Sequence, residues 1–177
     1  MGKKILIAVD LQKDFIDGTL GTQEAEAIVP AAAARIRELK EAGAEVFATL
    51  DTHETDYMQT REGKRLPVPH CIRGTEGWQL NPAILKALGD FTPVEKPTFG
   101  SVQLPEMIRE RIGEETDVTI ELLGLCTDIC VVSNALLLKA AFPEAEIRVS
   151  SACCAGVTPE KHKAALETMA SCQIDIL

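Results

Sequence analysis

Short apolar runs alternate along this chain with longer stretches of helical period. Residues 3–9 are a compact β-rich run that stops at Asp10, the pattern of a buried parallel strand. The next stretch, 24–42, places Ile28, Ala32, Ile36 and Leu39 on one helix face. Pro30 lies in its first turns, where proline costs least, and Gly43 ends it. "AEVFATLD", 44–51, returns to a strand. Residues 52–79 have neither period and are rich in charge, Gly and Pro; a loop that long in a compact domain is usually functional.

Beyond the loop, the pattern predicts a helix near 81–89, a short strand near 92–95 and a helix near 104–112. A strong strand over 117–124 leads into an apolar helix over 127–141. A strand at "AEIRVS" (145–150), a helix over 158–171 and a last strand at "QIDIL" (173–177) complete the series. Strands alternating with helices predict an α/β fold of three layers, α/β/α, around a mostly parallel sheet of about six strands, Rossmann-like in form. No repeat, linker or low-complexity segment intervenes, so 1–177 reads as one domain.

Composition narrows the function classes. The 177 residues suffice for one sizeable core, and 46% hydrophobic with 25% charged residues is ordinary for a globular protein. A net charge of −9 without any basic cluster argues against nucleic acid and anionic membrane as partners. No apolar stretch approaches membrane-spanning length, and "MGKKILIAVD" lacks the marks of a signal peptide. The expectation is a cytoplasmic protein whose 6 cysteines are free thiols.

In open α/β sheets, ligands sit outside the carboxyl ends of the strands. Asp10 ends the first strand, Asp51 the second, with His53 two residues on, and Lys96 the third. Cys130 follows the strand 117–124, at the start of a helix. A thiol at a helix N-terminus is expected to have a lowered pKa, and a nearby lysine adds to that effect. A carboxylate can take the thiol proton and return it to a leaving amine. Backbone N–H groups of the same turn can stabilise an oxyanion. The set suits acyl transfer through a thioester, most naturally on an amide.

Asp51, His53 and His70 form a second constellation, with Glu62 as a fourth candidate; such N/O donors suit zinc, iron or manganese. The third histidine, His162, reads as an exposed helix residue. Cys126 and Cys130 could instead be a redox pair. Their spacing is CxxxC rather than CxxC, however, and that reading leaves Asp10 and Lys96 idle. Cys153 and Cys154, after a strand, read as buried small thiols, and Cys71 and Cys172 as core or near-core.

Taken in order, "AVDLQKDFIDG", "LDTHE", "PHCIRGTEGWQL", "EKPTFGS" and "GLCTDICV" resemble the isochorismatase-like cysteine hydrolases, within them the nicotinamidases. The resemblance covers nearly the whole chain. It implies the isochorismatase-like hydrolase fold and a catalytic set of Asp10, Lys96 and Cys130. It also implies an oxyanion hole from the N–H groups of Cys126 and Cys130, with a cis peptide at Leu125–Cys126. It points to a divalent metal, zinc foremost with iron or manganese as alternatives, on Asp51, His53 and His70, with Glu62 at a ligand position of some members. Phe15 and Leu20 match positions that line the substrate-ring pocket. The implied partner is a small amide substrate, and members are often homo-oligomers. One departure stands out: "RLPVPH" has no aromatic residue to stack on a ring.

Overall fold

The first apolar run forms β1 (Lys3–Val9) in a computed structural model of the chain, which describes residues 2–177. There follow α1 (Lys13–Ile16), α2 (Gln23–Glu41), β2 (Glu45–Asp51), α3 (Arg61–Arg65), α4 (Pro82–Leu88) and β3 (Thr92–Lys96). The second half runs α5 (Leu104–Ile112), β4 (Val118–Leu125), α6 (Val132–Ala141), β5 (Glu146–Ala155), α7 (Pro159–Ser171) and β6 (Asp175–Ile176). The helix starts have local causes. The hydroxyls of Thr22 and Thr158 accept the N–H groups of Ala25 and Lys161, and Asn81 caps α4 ahead of Pro82.

All six strands are parallel, in the order β3-β2-β1-β4-β5-β6. From β1 the chain moves outward through β2 to β3, then crosses back to β4 and moves outward the other way. Right-handed crossovers therefore put α2 and α4 on one face and α5, α6 and α7 on the other. Packing agrees: α2 lies against α4, and α6 against both α5 and α7. The central strands are covered on both faces, with Leu6, Ile7, Ala8, Leu122 and Leu123 fully buried. The direction of winding reverses between β1 and β4, and the crevice beyond their carboxyl ends is where such a sheet binds ligands.

Two features shape that crevice. Gly124 has φ +128°, and a Cβ there would stand 2.1 Å from the Val9 carbonyl oxygen, so only glycine lets β4 lie so close to the end of β1. The Leu125–Cys126 peptide is cis. Buried Glu121, in the middle of β4, is held by a two-pronged contact from Arg35 at 2.7 and 2.8 Å and by the Ser150 hydroxyl at 2.6 Å.

Several expectations need correction. The stretch 52–79 contains a 3-10 turn, Tyr57–Gln59, and α3, each too short to show a period. The predicted helix 127–141 starts as a π turn, Thr127–Val131, before α6. β5 runs on to Ala155, so Cys153 and Cys154 lie inside the strand, buried. Cys172 is exposed at the end of α7, not near the core. Only Asp175–Ile176 of the last run pairs, at the sheet edge. Among the described residues no helix is long and apolar enough to cross a membrane.

Candidate active site

Asp10 leaves β1 with φ +46°, in the left-handed region that aspartate tolerates better than most side chains. The turn aims its carboxylate back over the sheet end. Its Oδ1 accepts the Thr49 hydroxyl at 2.6 Å, and its backbone N–H reaches the Thr49 carbonyl and hydroxyl, both at 3.2 Å. Lys96, at the end of β3, extends across β2 to put Nζ 2.6 Å from Asp10 Oδ2. Oδ2 is buried, with the Lys96 ammonium as its close charged neighbour. The same Nζ lies 3.4 Å from Cys130 Sγ, 3.1 Å from the Thr98 carbonyl and 3.7 Å from Asp51 Oδ1. All three groups are buried, with relative exposures of 0% for Asp10, 1% for Lys96 and 5% for Cys130.

Burial and the mutual charges shift all three groups. Burial raises the Asp10 carboxyl above its ordinary value, with Lys96 pulling the other way. It also pushes the Cys130 thiol well up, reinforced by the Asp10 charge and opposed by Lys96. Burial disfavours the Lys96 ammonium, but Asp10, Cys130 and Asp51 outweigh it and keep the group charged. The expected lowering of the thiol pKa by a helix N-terminus is therefore corrected. Cys130 is the fourth residue of the π turn, deep in the protein, and desolvation by burial is the largest influence on its thiol.

The Cys126 carbonyl accepts the N–H groups of Ile129 at 3.0 Å and Val131 at 3.1 Å, passing over that of Cys130. A pocket of about 330 Å³ opens beside this turn. Phe15, Leu20, Leu125 and Ile129 supply apolar wall, and Cys130 and His70 also line it. Leu66 and Phe99 also line a neighbouring cavity of about 870 Å³.

Asp51, His53 and His70 converge, each 7% exposed or less, and Asp51 and His70 line the pocket. Asp51 Oδ2 stands 3.1 Å from His53 Nε2 and 3.4 Å from His70 Nε2, and the three donor atoms lie within 4.8 Å of one another. The His70 Nδ1–H donates to the Val68 carbonyl at 2.8 Å, which turns Nε2 toward the cluster as metal-ligating imidazoles require. One carboxylate and two imidazoles so directed fit a divalent metal. Glu62 Oε1 is 3.7 Å from both Nε2 atoms, on a side chain more exposed than those of the other three. Burial works against the Asp51 carboxylate, yet hydrogen bonds to His53 and His70 outweigh it and hold its pKa below the usual range.

A family model described as Isochorismatase domain matches residues 4–177. The chain belongs to the isochorismatase family. A family protein, PncA, from Bacillus subtilis (strain 168) is 33% identical over 147 residues, 76% of this chain and 77% of that one. The crystal structure of pyrazinamidase/nicotinamidase from Streptococcus mutans UA159 superposes with a TM-score of 0.86 at 28% identity, covering 99% of this chain and 100% of that one. A pyrazinamidase of Pyrococcus horikoshii, solved in complex with zinc, gives 0.82 at 28% identity, covering 99% and 98%.

Sequence reading of this family member missed the residues that hold the site in place. Gln12 Nε2 donates to the carbonyls of Asp51 at 2.9 Å and Trp78 at 2.8 Å, and its Oε1 accepts the Asp51 N–H at 2.8 Å. Tyr57 packs edge-on against His53 and His70, at centroid distances of 4.7 and 5.1 Å, and donates to the Leu66 carbonyl. Asp14 accepts the N–H of Cys71, next to His70, at 2.7 Å. Their partners are distant in sequence, so no local motif marks them. Asp14 and Gln12 at least stand in the quoted "DLQKDFIDG". His162, expected to be exposed, is half-buried against Thr127.

Proposed function

We propose that the protein hydrolyses a small carboxamide through a thioester on Cys130, in the manner of a nicotinamidase. The observation that carries this reading is the position of Lys96 Nζ, 2.6 Å from Asp10 and 3.4 Å from the Sγ of Cys130, the residue of the three that lines a pocket sized for a small ring. Family membership and the nicotinamidase and pyrazinamidase structures superposing on nearly the full chain support it.

In this mechanism the resting thiol is neutral. Asp10 Oδ2 takes the Sγ proton as sulfur attacks the amide carbon, and Lys96 stabilises the charge that develops. The N–H groups of Cys126 and Cys130 receive the oxyanion. Asp10 then delivers its proton to the departing nitrogen, and ammonia leaves. Asp10 next takes a proton from a water that attacks the thioester, which frees the acid and restores the thiol. Asp51, His53 and His70 would hold a divalent metal, zinc first among the candidates, with Glu62 as an adjacent carboxylate. Bound there, the cation supplies Lewis acidity toward a ring nitrogen or a water. Phe15 and Leu20 line the ring site.

The test is ammonia release from nicotinamide, pyrazinamide and aliphatic amides, with and without chelator. Hydrolysis of an aromatic amide that Cys130→Ala abolishes supports the reading. No release from any amide would sink it.

A further inference from the structure

The π turn Thr127–Val131 carries the proposed nucleophile, and one of the two proposed oxyanion donors lies in it with the other at its edge; its N-cap residue, Cys126, makes no side-chain cap bond, and from α6 Asn134 Nδ2 donates to the Cys130 carbonyl at 2.8 Å. Two side-chain bonds tie it to a single neighbouring segment. The Thr127 hydroxyl, fully buried, pairs with His162 Nδ1 at 2.7 Å. Asp128 Oδ1 accepts the Val157 N–H at 2.9 Å. Both partners belong to the β5–α7 corner and the first turn of α7. That corner sits so close that a Cβ on Gly156 would lie 2.7 Å from the His162 nitrogen and 2.9 Å from Asp128 Oδ1. The segment also faces substrate, since Gly156, Val157 and Lys161 line the 330 Å³ pocket. His162 reaches none of Asp10, Lys96 or Cys130 by hydrogen bond, so the mechanism above leaves it without a role.

We propose that His162 is a positioning residue whose bond to Thr127 holds the turn where the Cys126 and Cys130 N–H groups meet the oxyanion. The inference rests on the amide-hydrolase reading. Oxyanion donors act on charge that exists only in the transition state, so a displaced turn lowers kcat and leaves substrate affinity nearly intact. Attack of Cys130 on an alkyl halide forms no oxyanion. Its rate therefore reports the thiol, Asp10 and Lys96 without the donors.

The experiment compares His162→Ala, His162→Asn, Thr127→Val and the double variant His162→Ala/Thr127→Val for kcat, KM and Cys130 alkylation by iodoacetamide. His162→Ala and Thr127→Val each lower kcat by about 10- to 100-fold, below the cost of deleting a donor outright. KM stays within about threefold, and alkylation within about twofold. His162→Asn, whose amide reaches the Nδ1 position, recovers most of the loss. The double variant is no worse than either single one, because both remove the same bond. Unchanged kcat in either single variant, additive losses, or alkylation that falls in step with kcat would overturn the inference. A wild type that releases no ammonia would overturn the hydrolase reading, and this inference with it.

Discussion

Lys96 reaches from the end of β3 over β2 to stand 2.6 Å from the carboxylate of Asp10 at the end of β1. The pair is sealed from water, so each charge depends on the other. Removing the ammonium strands a buried carboxylate, at a cost of about 3–5 kcal/mol. Lys96→Met is predicted to lower unfolding free energy by that amount in urea titration. Asp10→Asn keeps the shape and loses the base, so its kcat falls by about 10²- to 10⁴-fold.

The raised Asp10 carboxyl and raised Cys130 thiol set the pH dependence. Asp10 takes up its proton earlier on acidification than an ordinary aspartate does. kcat/KM at saturating metal is therefore predicted to fall on the acid side with a midpoint above about pH 4. In the absence of substrate, alkylation of Cys130 should climb with pH and reach its midpoint above about 8.5, the ordinary thiol value. A thiol fully reactive at pH 7 would contradict the neutral resting state.

Metal affinity should divide the four candidate ligands. Asp51, His53 and His70 are buried and cluster within 4.8 Å, whereas the Glu62 side chain, 3.7 Å from both imidazoles, is 23% exposed. Alanine at any of the first three is predicted to weaken zinc binding by more than about 100-fold, and Glu62→Gln by about tenfold or less, the scale of a supporting partner. Competition with a chromogenic chelator measures both. Zinc at 100 times its Kd should stabilise the fold by about 2.7 kcal/mol, read as a rise in Tm.

Gln12 is predicted to act on the metal site through Asp51. Its amide makes bonds to both the N–H and the carbonyl of Asp51, and Gln12→Ala leaves those buried groups unpaired. A loss of about 1–3 kcal/mol per unpaired group is expected, together with weaker zinc binding. Lost stability with unchanged zinc affinity would show that Gln12 does not steer the carboxylate.

The strand-end positions were legible in the sequence because a strand's apolar run names the residue that closes or follows it. Asp10, Asp51 and Lys96 could be found that way. Which of them meet depends on strand order, and the reach from β3 to β1 exists only because β2 lies between them in space. Thr49, Gln12 and Tyr57 act through contacts that the folded chain alone creates. The thiol was misjudged for a physical reason. A helix start is visible in sequence, while the burial that overrides it comes from packing of β4, the π turn and Lys96. His162 and Cys172 were misplaced because helix periodicity does not say which face the neighbouring segments cover.

The central claim is a covalent thioester at Cys130. Protein mixed briefly with nicotinamide, quenched in acid and digested should show the acyl mass on the peptide containing Cys130 and on no other cysteine peptide. Cys130→Ala should show no adduct and release no ammonia. Wild-type ammonia release from Cys130→Ala, or turnover with the acyl group on another cysteine, would contradict the account.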